Sequence, residues 1–112
     1  MKELGNLKKL EFIETLDSII RDNMFDISTY NMDRKLLFLR NMLVHEVNLN
    51  ERDISILESI VEIYKQCTDH PEKKKELRRQ FLFYINLLWQ IRNRRIVDSE
   101  YNTEDYYKKT IS

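Results

Sequence analysis

Glycine and proline occur once each in 112 residues, as Gly5 and Pro71. Hairpin turns draw on glycine for their positive-φ positions, so a protein of many short strands is excluded. The same scarcity excludes a glycine-rich phosphate loop, whether of the P-loop or the dinucleotide-binding type. No nucleotide cofactor is expected, and nothing else in the chain calls for a cofactor. The single cysteine, Cys67, has no internal partner for a disulfide. With only two histidines beside it, the chain is short of ligands for a structural zinc site, although Cys67 and His70 have ligand-like spacing. No metal is expected. Residues 1–20 carry Glu3, Glu11, Glu14 and Asp17 where a secretory signal peptide needs an unbroken apolar stretch. No apolar run reaches the roughly 20 residues of a membrane span. A cytoplasmic, reducing location away from the membrane is the expectation that follows.

What is present is helix-forming material. Hydrophobic residues make up 42% and charged residues 34%, with 11% aromatic, which is a globular composition. Leu, Ile, Glu, Lys and Arg dominate, so the reading is an all-α chain. At this length it forms one domain, residues 1–112, a compact bundle of four to five helices. The spacing of Leu4, Leu7, Leu10, Ile13, Leu16, Ile19 and Ile20 predicts a first amphipathic helix from Lys2 to about Asp22. The connector 24–31 holds Phe25, Ile27 and Tyr30, too apolar for a free linker, and is expected to pack. A second helix is predicted from about Asp33 to Val47, followed by a short turn at Asn48-Leu49-Asn50. Asn50 is a good N-cap, with Glu51 and Asp53 placing negative charge in the first turn of a third helix that runs to about Cys67.

The fourth helix, predicted over 71–97, is the longest and the one the others surround. Pro71 suits its first position. Its middle, FLFYINLLWQI from Phe81 to Ile91, is interrupted only by Asn86 and Gln90 and is apolar on nearly every side. A single small domain has too few neighbours to cover such a helix all round. Phe81, Phe83, Asn86, Leu87, Trp89 and Gln90 are therefore candidate partner-interface residues, with the two amides fixing register across a two-fold axis. Residues 98–112 form a tail or a short terminal helix, started by the Asn102-Thr103 cap signal and docked by Tyr101, Tyr106 and Tyr107.

The formal net charge is +0, from 19 Lys or Arg and 19 Asp or Glu, but the charge is unevenly spread. The stretch 71–97 holds eight basic and two acidic residues. Lys73, Lys74, Lys75, Arg78 and Arg79 at one end and Arg92, Arg94 and Arg95 at the other are candidate phosphate contacts. The competing reading is that they are solvated helix ends paired with Glu58, Glu62 and the acidic tail.

One constellation on the second helix carries catalytic meaning. Arg40, Asn41 and His45, within Leu39-Arg40-Asn41-Met42-Leu43-Val44-His45-Glu46, resemble the Arg-Asn-x-x-x-His signature of HEPN domains, small helical proteins many of which are metal-independent ribonucleases. The resemblance spans about ten residues. It implies a dimer whose paired motifs form the site, with Arg40 on the scissile phosphate and His45 in proton transfer, chemistry that suits a histidine near neutrality. In an ideal helix the two side chains point about 140° apart, so a site using both needs a distorted helix or a second subunit.

These features rank three functions. The first is a protein-interaction or regulatory module, acting as a homodimer or as a subunit of a larger partner and not as an enzyme. The second is a HEPN-type ribonuclease, and the third is nucleic-acid binding through the basic ends of the fourth helix.

Overall fold

A computed structural model of the chain describes residues 2–3, 5–27, 31–45 and 48–101, with side chains described between 5 and 93. The fold is all-α, built from α1 (Asn6–Asp22), α2 (Met32–His45), α3 (Glu51–Asp69) and α4 (Lys74–Tyr101). A 3-10 turn at Pro71–Lys73 leads into α4. A two-residue ladder closes one end of the bundle, β1 (Lys2–Glu3) running antiparallel to β2 (Asn48–Leu49) with Lys2 opposite Leu49. No helix among the described residues is long and apolar enough to cross a membrane.

The helix limits follow from local chemistry. Asn50 caps α3 as its residue type predicts, its Oδ1 accepting the Asp53 N–H at 2.8 Å. The first helix starts at Asn6 and not at Lys2, because Gly5 is extended and Lys2–Glu3 is taken up by the ladder. For the same reason Asn48 and Leu49, expected as turn, are a strand. The α-helical part of the fourth helix begins at Lys74, after the 3-10 turn opened by Pro71, and continues past Val97 to Tyr101. The expected terminal helix, with Tyr106 and Tyr107, lies outside the described residues. Among the described residues three left-handed backbone positions occur outside the helices, at Asn23, Asp26 and Asn31, with φ of 48°, 52° and 55°. A chain with one glycine fills them with the L-residues that tolerate that region best.

Each helix packs on two others: α1 and α4 both lie against α2 and α3. The pairs Lys35–Asn86 and Phe38–Trp89 advance together along α2 and α4, so these two run parallel. The other side of the bundle is formed by α1 and α3. The core is made by one face of every helix, including Phe12, Leu16, Leu36, Leu39, Leu57 and Ile60. The described part of the connector packs as expected, with Phe25 and Ile27 buried and the Phe25 ring stacked on Phe81 at 4.7 Å, while Tyr30 lies outside the described residues.

From α4 the core takes Leu77, Phe81, Ile85 and Leu88, residues spaced by three and four, which define its inner stripe. Phe81 was expected at a partner interface and is instead fully buried within the chain. Burying one ring against Phe25 removes it from any surface a partner could reach.

Candidate functional site

The outward side of α4 carries the remaining interface candidates. Phe83, two positions from Phe81, is rotated away from the core and is 60% exposed, its ring meeting Tyr84 edge-on at 5.4 Å. Gln90 is exposed on the same face, with Leu87 and Asn86 half-buried at its margins. Trp89 is half-buried at the seam with α2, edge to face with Phe38 at 4.9 Å. Asn86 was expected to bond across a two-fold axis, but its Oδ1 accepts a hydrogen bond from Lys35 Nζ at 2.8 Å within the chain. Its carbonyl therefore ties α2 to α4. Leu37 and Val44 are also exposed, but on the flank of α2 that carries Arg40, away from the α4 seam.

On α2 the three motif residues separate into two groups. Asn41 and His45 are four apart and both exposed, so they share a face. His45 closes the helix, where the dipole favours a cation. Arg40 turns to the flank facing α1, its Nε donating to Asp17 Oδ1 at 2.5 Å and its Nη1 to Asn41 Oδ1 at 3.3 Å. The helix is regular across the motif. Within one chain, Arg40 and His45 therefore do not converge on a common point.

The basic ends of α4 also divide. Lys73, Lys74, Lys75 and Arg79 are exposed and Arg78 is half-buried. Arg92, expected to contact phosphate, is buried, and its Nη1 donates to Asp53 Oδ2 at 3.3 Å. It follows the inner stripe of α4, four residues after Leu88, and a carboxylate within the bundle takes its charge. The side chains of Arg94 and Arg95 lie outside the described set.

The Asp53–Arg92 pair escaped sequence reasoning because Asp53, three residues after the cap, reads as a solvated dipole-compensating charge. Arg92 continues the stripe of Phe81, Ile85 and Leu88, but in a run apolar on nearly every side nothing in the sequence marks that stripe as the inner one.

Cys67 is buried at the end of α3; burial pushes its thiol pKa up, and nearby Lys74 opposes this in part. His70 is exposed, with Nδ1 3.4 Å from Glu72 Oε1. Among the described residues no group of three or more His, Cys, Asp or Glu side chains is placed to hold a metal ion.

Compared with protein-family models, with curated proteins and with solved structures, the chain finds no match.

Proposed function

We propose that the protein is a small cytoplasmic interaction module that pairs with a second copy of itself through the outer face of α4 and acts as a regulatory subunit. The observation that carries this reading is the exposure of Phe83 on a helix whose other stripe already fills the core. An aromatic ring in water, continued by Leu87 on the same helix, is surface that a partner's apolar side chains stabilise by covering. Gln90 supplies a polar edge to that patch. Light scattering at micromolar concentration tests the proposal, with a dimer expected. Phe83→Glu is expected to give a monomer with an unchanged helical spectrum. A monomeric wild-type protein overturns self-pairing.

A second reading, a HEPN-type ribonuclease, is favoured by the shared exposed face of Asn41 and His45. With Arg40 turned to the α1 flank, a site that used both Arg40 and His45 would draw them from two chains. Such an enzyme cuts RNA in EDTA and loses that activity on His45→Ala with its fold intact. Equal cutting by the variant removes the reading.

A further inference from the structure

The four helices divide by charge, and the division coincides with the sides of the bundle. Helices α1 and α3 together hold five Lys or Arg against nine Asp or Glu, while α2 and α4 hold ten against four. Because α1 packs beside α3 and α2 beside α4, one side is acidic and the opposite side basic. The zero net charge of the chain conceals this separation.

Cations without an ion pair among the described residues occur on both sides, Lys9, Arg52 and Lys65 on the acidic one, where carboxylates outnumber them. On the acidic side Lys8 reaches Glu58 at 3.2 Å and Glu11 at 3.8 Å, and Arg21 lies 3.4 Å from Asp22. On the basic side Arg34, Lys75 and Arg79 make no ion pair among the described residues, and Lys35 is bonded only to the neutral Asn86. Arg40 and Arg92, cations of this pair of helices that meet carboxylates, are turned toward α1 and α3. The acid Asp33 lies seven residues before Arg40, on the same α1-facing flank.

At 100° per residue, Lys75, Asn86 and Asn93 share one sector of α4, with Arg79 at its edge. From about Phe83 onward that sector lies beside α2, where Lys35 meets Asn86 and Phe38 meets the adjoining Trp89, with Arg34 and Asn41 just outside. Lys75 and Arg79 precede the level at which α2 begins. The result is a strip along α4, about 27 Å from Lys75 to Asn93 at 1.5 Å per residue, whose second half is the α2–α4 seam. It offers cations, side-chain amides and the half-buried Phe38–Trp89 aromatic pair.

We propose that this strip binds single-stranded nucleic acid lengthwise, with Arg34, Lys35, Lys75 and Arg79 on the phosphates and Trp89 against a base. The combination selects the ligand. Unpaired cations in a row suit a polyanion, amides suit base edges and sugar hydroxyls, and a ring among them gives a stacking surface that an acidic peptide cannot use. The site shares Lys75 and Arg79 with the basic N-terminal end of α4, but continues from there along the side of the bundle onto α2 and omits Arg92. It does not depend on self-pairing.

The test uses the full chain and a short labelled oligouridine, read by fluorescence anisotropy over a salt series. Binding is expected at low salt and is expected to weaken steeply, with about 0.7 in the log–log slope for each phosphate neutralised. Arg34→Glu with Arg79→Glu, both exposed positions, is expected to weaken binding at least tenfold and flatten the slope. Lys65→Glu on the acidic side is expected to leave both unchanged. Trp89 is the only tryptophan, so its emission reports the seam directly and is expected to be quenched in step with the anisotropy. No binding at low salt, equal loss from Lys65→Glu, or displacement by polyglutamate as effective as by unlabelled oligouridine would each overturn the proposal.

Discussion

Arg92 and Asp53 join the far part of α4 to the first turn of α3, Nη1 donating to Oδ2 at 3.3 Å across 39 positions of sequence. Both side chains are removed from water, with 10% of the Arg92 side chain and none of the Asp53 side chain accessible. Desolvation of two such charges offsets much of their attraction, so removing one partner is worse than removing both. Asp53→Leu alone is expected to cost about 3–5 kcal/mol, and Arg92→Leu a similar amount. The double variant is expected to lose much less than the sum. Urea unfolding followed by circular dichroism measures the cycle, and additive losses would show that the two charges do not act as a pair.

Phe81 and Phe83 are two positions apart and face opposite surroundings. Phe81→Ala removes a ring stacked in the core and is expected to cost about 3–5 kcal/mol. Phe83→Ala is expected to change monomer stability by under about 1 kcal/mol, since its ring is mostly in water. Equal losses on thermal or urea unfolding would contradict the assigned faces of α4.

That contrast marks what was readable before the structure. The helices, the Asn50 cap and the packing of Phe25 and Ile27 were legible, because each is written in spacing or in residue type over a short stretch. The direction of FLFYINLLWQI was not, since a helix apolar on all sides has no period to orient it. Phe81 was therefore grouped with Phe83. The pairings Asp53–Arg92 and Lys35–Asn86 join positions 39 and 51 apart, and a local pattern carries no trace of them. The motif on α2 was legible as residues but not as geometry: the turn of Arg40 toward Asp17 depends on where α1 packs.

The left-handed position at Asn23 gives a prediction about the chain's shortage of glycine. Asn23→Gly relieves the residual strain of φ 48° and is expected to stabilise the fold by up to about 1 kcal/mol. Asn23→Val places a β-branched residue there and is expected to cost at least about 1–2 kcal/mol. Midpoints of thermal unfolding for the two variants should move in opposite directions.

Cys67 links burial to pH. Its thiol pKa is raised in the folded protein, mainly by desolvation, so the neutral form is the one the fold favours. Its contribution is complete below the pKa of the unfolded thiol and is lost as pH rises through the folded value. Stability is therefore expected to fall in the alkaline range, and Cys67→Ala should flatten that fall. An unchanged slope of stability against pH in the variant would assign the alkaline loss to other groups.

The Arg40–Asp17 contact separates two roles for the motif on α2. Both side chains are about a third exposed, at 35% and 39%, so as a structural pair they contribute no more than about 1 kcal/mol. Asp17→Asn leaves Arg40 beside Asn41 Oδ1 without its carboxylate partner, and the two roles then predict different outcomes. If Arg40 serves only to tie α2 to α1, the variant is slightly less stable and its affinity for RNA and any cutting of RNA are unchanged. A guanidinium that engages phosphate has been competing with Asp17 for its bond, and removing the carboxylate should then raise RNA affinity severalfold. Arg40→Lys in the same background distinguishes shape from charge, because lysine keeps the charge but not the planar fork that meets phosphate with two parallel bonds. A gain in Asp17→Asn that Arg40→Lys abolishes assigns Arg40 to the ligand, and a gain that persists assigns it to the general loss of negative charge on α1.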